Sequence, residues 1–461
     1  MDRLTNWLTA LLFSAVIVAN LPAQDKLVLT LDGSVELAFK NNPSYQIALK
    51  EVDKAKASVV ESYSSILPQL SSSAAFQHAW EIQESTIPNF IKLMFPPDFP
   101  GIESMPDYVR ISFGLENTIT LGAQLTQPLF LGGAGIAGIK MAGAASRAAE
   151  RNLEKARQDL LYNTANAFYT CLIAKEVVKV QEEALQQSQE NMDMVRKKYE
   201  AGAASKFDLM RAEVNVANTK PSAISARNQA KIALTRLKMI LALPMETEID
   251  VDGQLAYEED EFTTMTTLDY ERMALATRPE VQALQEQKRI SRQGIALARS
   301  SFLPKLFFAT DYSYLGMTNE LTIGGVDYSR GFTSAVSLQL PLFTGLKNNK
   351  QYQKSKIDYR MMLDAEKSVT DGVTAEVEAV YSTFREAKEK YAAAAENAQL
   401  AEETFRLATM MYEEGTNTQL DVFTAQVGLT SARLNYLSSL YEYQLTRYAL
   451  RKVTGNLKEI L

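Results

Sequence analysis

Few residues in this chain are suited to covalent chemistry. There is one histidine, His78, and one cysteine, Cys171. An activated nucleophile needs a base within hydrogen-bond reach, and His78 is the only imidazole available to serve as one. A metal-binding histidine needs further ligands around it, and His78, alone on the apolar face of a strand, reads as structural. The paired methionines (Met192 and Met194, Met361 and Met362, Met410 and Met411) are soft-metal ligands by type. Several of them lie on or beside a helical seam, which core packing explains. Cys171 falls on that seam and reads as a small buried hydrophobe. No glycine-rich phosphate loop is present, so the sequence points to no enzyme, no cofactor and no metal. What remains is a pair of carboxylates, Asp208 and Asp421, each six residues after a glycine, Gly202 and Gly415.

An Asp in the first turn of a helix is accounted for by capping or by the helix dipole, an effect of about 0.3–1 kcal/mol. The segments before them, Gly202-Ala203-Ala204-Ser205 and Gly415-Thr416-Asn417-Thr418, consist of small residues. A glycine there caps the long helix that precedes it. The same lack of bulk leaves room for another helical hairpin to approach.

These turns occur twice because the chain is written twice. Gln127-Pro128-Leu129-Phe130-Leu131-Gly132 returns as Leu340-Pro341-Leu342-Phe343-Thr344-Gly345, and Tyr199-Glu200-Ala201-Gly202 with Asp208 returns as Tyr412-Glu413-Glu414-Gly415 with Asp421, both at an offset of 213. Upstream, Thr30-Leu31-Asp32 matches Thr267-Leu268-Asp269, and Leu67-Pro68 matches Leu303-Pro304, at offsets of 237 and 236. The first copy therefore carries an insertion between Pro68 and Pro128, and the rest is one architecture used twice. The copies are expected over 24–253 and 254–461.

Each copy contains two stretches with period-two alternation, about 68–80 and 111–128, then about 304–317 and 331–341. Leu70, Ala74 and Phe76 oppose Gln69, Ser71 and Ser73; Leu121, Ala123 and Leu125 oppose Thr120, Gln124 and Thr126. In the second copy Leu306, Phe308 and Tyr312 oppose Asp311 and Ser313, and Val336 and Leu338 oppose Ser337 and Gln339. Each copy thus supplies a strand pair. Shorter helices near 34–66 and 268–302 lead into the strands. Prolines mark the joints: Pro68 and Pro304 follow the entering helices, and Pro128 and Pro341 are expected to close the exit strands.

The remaining long segments are helical. Val373, Val377, Val380, Phe384, Ala387, Tyr391, Ala394, Ala398, Ala401, Phe405, Ala408 and Tyr412 follow an unbroken four-three spacing, a coiled-coil seam. The first copy repeats it from Leu160 to Tyr199 with polar interruptions at Thr164, Gln181 and Ser188. Long helices are expected over about 133–199 and 345–413, each spanning roughly 100 Å. Partner helices follow over about 206–241 and 419–454, stopped by Pro244 and capped by Gly455.

Residues 1–23 read as an export signal: Arg3, an apolar run from Leu8 to Val18, and Ala23 at the cleavage position. No later segment is apolar for long enough to span a bilayer as a helix. A net charge of −7 offers no basic stripe for nucleic acid. Four strands cannot close on themselves, since the smallest membrane barrels need about eight. Their length and the aromatics near their loop-side ends (Trp80, Tyr108, Tyr312, Tyr314, Tyr328, Phe332) suit a barrel closed by several chains, with lipid outside. The insertion, Glu81 to Arg110, holds five prolines and reads as a structured loop without strand or helix, its role open.

The duplicated hairpins, the two Pro-Leu-Phe joints and the two Tyr-Glu-x-Gly turns followed by Asp resemble the TolC-like outer membrane efflux proteins. The resemblance covers essentially the whole chain after the signal. It implies a mainly α fold with a membrane β-barrel portion, in which a homotrimer forms a 12-strand barrel in outer membrane lipid and a 12-helix periplasmic tunnel. It also implies a periplasmic adaptor and an inner membrane transporter as partners, in a tripartite efflux or type I secretion system. By the same resemblance Asp421 lines a periplasmic gate with Asp208, Tyr412, Asn417 and Thr424. Adaptors would dock at Gly202, Ala203, Ala204, Ser205, Gly415, Thr416, Asn417 and Thr418. The family's prototype has an Arg at the place of Asn417, paired with a carboxylate matching Asp208 and a tyrosine matching Tyr412. It also has a second constriction Asp where this chain has Thr424. The tip here is therefore expected to be held by hydrogen bonds and seam packing, assisted by Lys206. A periplasmic coiled-coil adaptor without a pore is the alternative, although an adaptor would carry one helical hairpin rather than two. The exported substrate is not readable from the sequence.

Overall fold

The computed structural model describes residues 26–457 apart from positions 97, 260 and 323; the signal expected at 1–23 lies outside the described residues. In chain order the elements are β1 (Leu27–Leu29), α1 (Leu31–Asn41), α2 (Pro43–Tyr63), β2 (Gln69–His78), β3 (Glu84–Pro88), α3 (Phe90–Met94), β4 (Tyr108–Ser112), β5 (Asn117–Phe130), α4 (Ala134–Glu200) and α5 (Lys206–Leu241). They continue with β6 (Ile249–Val251), α6 (Thr267–Thr277), α7 (Pro279–Ser300), β7 (Lys305–Thr318), β8 (Tyr328–Gln339), α8 (Lys347–Glu413) and α9 (Gln419–Val453). Two compact units result, one over 54–146 and 286–364, the other comprising the described part of 1–53 with 147–285 and 365–457. Among the described residues no helix is long and apolar enough to cross a membrane.

In the first unit β2, β5, β7 and β8 form one antiparallel sheet in the order β2-β5-β7-β8. Its register explains the alternation in the sequence. Ala74, Leu121 and Tyr314 stand in one cross-strand row, as do Ala123, Tyr312 and Phe332, and on the other face Ser71, Gln124, Asp311 and Thr333. Because side chains point to opposite faces with period two, this register gathers the apolar residues of all four strands on one face and the small and polar ones on the other. The apolar face is open to the surroundings: Leu70, Phe76, Phe332, Val336 and Leu338 are all more than half exposed.

The structure corrects three expectations here. Pro128 does not end its strand: β5 continues to Phe130 through a register shift between Pro128 and Phe130. The ladder to β2 has already stopped at Gln69–Thr126, so only β7 has to accommodate the proline at a bulge. The strand expected from 111 is interrupted. Ile111 belongs to β4, and Gly114, at φ +119°, breaks the chain before β5 begins at Asn117. Lastly, the Pro-rich insertion is not irregular throughout. Its β3 and β4 pair as an antiparallel ribbon, with Ser85 opposite Ile111 and Ile87 opposite Val109, and α3 starts at an Asn89 cap. Pro88 terminates β3, and Pro96, Pro100 and Pro106 are confined to the connection between α3 and β4.

The second unit is helical, with the small parallel pair β1 and β6 laid against it. Its core is the predicted seams. Every position from Val373 to Tyr412 in the four-three series is buried or half-buried. Phe384, Val377 and Ala387 pack with Tyr443, Leu450 and Tyr270. In the first copy Phe168, Cys171 and Leu172 pack with Leu237, Leu241, Ile249 and Val251. Each large aliphatic side chain removed from water in this way contributes about 1.5–3 kcal/mol.

Each lead-in segment is two helices, not one. Asn42 and Arg278 are extended (ψ 120° and 127°) because the proline that follows excludes the α region. Pro43 and Pro279 then open α2 and α7 at the first helical position, where a missing N–H is tolerated.

Candidate functional site at the helical turns

The long helices α4 and α8 each have 67 residues and end at matching turns. In one turn Gly202 N donates to Tyr199 O (2.9 Å) and Ala203 N to Lys198 O (2.7 Å); in the other Gly415 N donates to Tyr412 O (3.2 Å) and Thr416 N to Met411 O (2.9 Å). Gly202 and Gly415 both have φ +79°, the left-handed cap that glycine alone adopts without strain. Nothing lies within 4 Å of a Cβ built on either, so both turns face open space. Ala203, Ser205, Thr416 and Thr418 are exposed, and Ala204 and Asn417 half-exposed.

Asp208 and Asp421 occupy the third position of α5 and α9 and close a full capping box with Ser205 and Thr418. Ser205 N and Oγ donate to Asp208 Oδ2 (3.2 and 2.6 Å), and Asp208 N donates back to Ser205 Oγ at 3.1 Å. At the other turn Thr418 N donates to Asp421 Oδ2 (3.0 Å), Thr418 Oγ1 donates to the same oxygen, and Asp421 N donates to Thr418 Oγ1 at 3.3 Å. The Thr418 hydroxyl and N–H favour the ionised form of Asp421 and hold it below its ordinary range.

The five residues implied for a gate separate into two places. Asn417, Asp421 and Thr424 line an open groove of about 820 Å³ between α8 and α9, with Leu400, Leu407 and Met411 as its apolar wall. Thr424 is bonded back to Leu420 O at 2.8 Å. Tyr412 points elsewhere: it is 8% exposed and packs with Met192, Val195, Ala212 and Val422. Its first-copy counterpart Tyr199 is 40% exposed. Burial raises the Tyr412 phenol, and the nearby Asp208 charge adds to that.

The residue that grips Tyr412 is Lys198, a position to which the seam pattern assigns no role. Lys198 Nζ lies 4.1 Å from the Tyr412 ring centroid and donates to Tyr412 O at 2.7 Å. It joins the last turn of α4 to the last turn of α8, stabilising a helix C-terminus with a cation. A sequence signal existed: at the offset of 213 Lys198 corresponds to Met411, so the copies differ in charge next to their shared tyrosine.

Of the remaining candidates, Cys171 and His78 are structural. Cys171 is 2% exposed. His78 Nδ1 lies 2.8 Å from Asn117 Oδ1, and its ring meets Trp80 edge-on at 4.6 Å. Of the paired methionines Met192 is core, whereas Met361, Met410 and Met411 are exposed, so core packing does not account for those three.

One unit thus holds a four-stranded sheet with an open apolar face, and the other holds two long helical hairpins. A family model described as outer membrane efflux protein matches residues 35–243 and 272–456. The alkaline protease secretion protein AprF of Pseudomonas aeruginosa is 22% identical over the whole of this chain and 90% of its own length. The outer membrane protein TolC of Escherichia coli is 20% identical over 91% of this chain and 80% of its own. The Campylobacter jejuni CmeC outer membrane channel superposes with a TM-score of 0.75 at 19% identity, covering 93% of this chain and 86% of that one. The chain belongs to the outer membrane efflux protein family. It is an outer membrane channel of the efflux kind, and the family is one of transport conduits rather than of enzymes or pore-less adaptors.

Proposed function

We propose that three copies of this chain close a 12-strand barrel, β2 of one pairing with β8 of the next, and continue it as a 12-helix tunnel into the periplasm. The carrying observation is the sheet itself: one face is apolar across all four strands, and among the described residues neither edge, β2 nor β8, has a partner. An open edge in hydrocarbon leaves backbone groups unsatisfied, so the edges must pair with other chains. Strands of 10–14 residues match a tilted membrane span. The row of Ser71, Gln124, Asp311 and Thr333 then faces the lumen.

Each structural repeat, 24–253 and 254–461, contributes one strand pair and one helical hairpin. The channel is a passive conduit, with an inner membrane transporter supplying the energy. A periplasmic adaptor docks at Gly202, Ala203, Ala204, Ser205, Gly415, Thr416, Asn417 and Thr418. Asp421, Asp208, Tyr412, Asn417 and Thr424 shape the periplasmic gate, with Asp421 facing the permeant ions. Cell fractionation with a heat-sensitive gel shift tests the assembly. An oligomer in the outer membrane fraction that dissociates on boiling is expected. Recovery only in the soluble periplasm would sink the reading.

A further inference from the structure

One layer of the helical unit interrupts an apolar seam with a buried polar cluster. Gln426 of α9 is 4% exposed, Ser188 of α4 2% and Asn215 of α5 8%. Gln426 Nε2 donates to Ser188 Oγ (2.9 Å) and to Ala184 O (3.0 Å). Asn215 Nδ2 donates to Gln426 Oε1 (3.2 Å) and Ser188 Oγ (3.3 Å), and Ser188 Oγ donates to Ala184 O (2.8 Å). Thr219 Oγ1 stands 3.4 Å from Ser188 Oγ. Met192, Val195, Ala212 and Val422 pack on the side toward the turns.

Two features separate this cluster from ordinary seam packing. It joins both copies, since α4 and α5 form the first hairpin and α9 belongs to the second. It also breaks the duplication: at the offset of 213, Ser188 corresponds to Ala401, Asn215 to Gly428 and Gln426 to Glu213. A slide of α9 by one turn would bring Val422 or Thr430 to this layer. Val422 would take away the Gln426 amide that both Ser188 Oγ and Asn215 Nδ2 bond, and Thr430 is too short to span both. Polar residues at a single layer of an apolar seam fix register in this way.

We propose that Ser188, Asn215 and Gln426 form a polar clasp that fixes the register of α9 against the first hairpin and thereby limits the width of the periplasmic tip. The step from register to conductance rests on the channel reading above. Two turns further along α9, Arg433 reaches Glu183 of α4 (2.8 Å) and Glu402 of α8 (3.0 Å) and extends the same alignment to the surface.

The test uses the full-length channel in planar bilayers. Asn215→Leu with Gln426→Met fills the layer with apolar groups of similar size, and a heat-sensitive oligomer at wild-type abundance with several-fold higher single-channel conductance is expected. Ser188→Ala should act in the same direction, and Ser188→Thr, which keeps the hydroxyl, should restore wild-type conductance. If the double variant does not assemble, the Ser188 pair carries the test. A purely structural role would shift Tm and leave conductance alone. Assembled variants conducting like wild type would overturn the clasp, whereas a wild-type protein that carries no current would instead sink the channel reading.

Discussion

Lys198 of the first hairpin lies with its ammonium 4.1 Å from the Tyr412 ring centroid and 2.7 Å from the Tyr412 carbonyl oxygen in the second. Both contacts involve the ring face and the backbone, and neither uses the phenol hydroxyl. The chain thus links its two turns by a cation over an aromatic ring and a helix C-terminus, in the absence of an arginine at Asn417. The contact lies at the end of the hairpins, in the last turns of α4 and α8.

Removing the cation while keeping the side-chain length, as in Lys198→Met, is expected to leave a folded channel with higher conductance. The stability change is about 0.5–1 kcal/mol, the scale of a part-exposed cation–π contact. Tyr412→Phe keeps the ring and the carbonyl and should conduct like wild type, whereas Tyr412→Ala should resemble Lys198→Met. Single-channel recording of the three variants checks this. A raised conductance in Tyr412→Phe would transfer the role to the hydroxyl.

Asp421 has both a capping and a proposed gating role, and two substitutions separate them. Thr418→Ala removes the cap and leaves the charge, with a helix-stability loss of about 1 kcal/mol. Asp421→Ala removes the charge and the carboxylate half of the capping box, while the N–H of residue 421 can still bond Thr418 Oγ1. Reduced cation selectivity in Asp421→Ala but not in Thr418→Ala places the carboxylate in the ion path; equal behaviour assigns it to capping alone. The pH dependence has a definite sign. The folded pKa is depressed, so its stabilising contribution is present above the unfolded value and is lost as pH falls through the folded one. Selectivity should be flat from neutral pH down to the ordinary carboxylate range and decline only below it.

Cys171 tests the core of the first copy. Burial, with Asp250 adding to it, pushes the thiol up to about 12, and the residue is 2% exposed. Since the thiolate is the reactive form, the folded protein should resist maleimide at pH 8 and react fully after denaturation. The measurement is a mass shift by intact-protein mass spectrometry. Rapid labelling of the native channel would mean that the packing of Phe168, Cys171 and Leu172 against Leu237 opens readily.

The long helices were legible because their seams persist over many turns, and the membrane-type strands because alternation over ten residues has one physical meaning. The parallel pair β1 and β6 was not, since three residues carry no period and the strands are more than 200 positions apart. Pro43 and Pro279 were visible, but whether a proline breaks a helix or opens the next one depends on the conformation of the residue before it. Asp208 and Asp421 were found by position, and their capping boxes follow from Ser205 and Thr418 three residues earlier. Lys198 and the Gln426 layer were missed for another reason. Their partners lie on helices from the other copy, and sequence spacing does not reveal which faces of antiparallel helices meet. Comparing the copies position by position does mark them, as charged or polar residues whose counterparts are Met, Ala, Gly or Glu.

The insertion in the first copy offers the last test. The β2–β5 ladder ends at His78–Asn117, with Ala79 N bonded to Glu116 O at 2.7 Å, and among the described residues β3 pairs only with β4. Within the insertion Lys92 Nζ binds Asp107 Oδ1 (2.6 Å) and Asn89 Nδ2 binds Pro106 O (3.0 Å), so the ribbon is held by its own contacts. The second copy connects β7 to β8 through positions 319–327 alone. Replacing positions 81–114 by a connection of that length should therefore leave β2 and β5 paired, the oligomer heat-sensitive on a gel and the conductance close to wild type. Exposed Leu93 and Met94 would be lost with the ribbon. A shortened channel that no longer reaches the outer membrane would instead assign those apolar side chains a part in insertion or assembly.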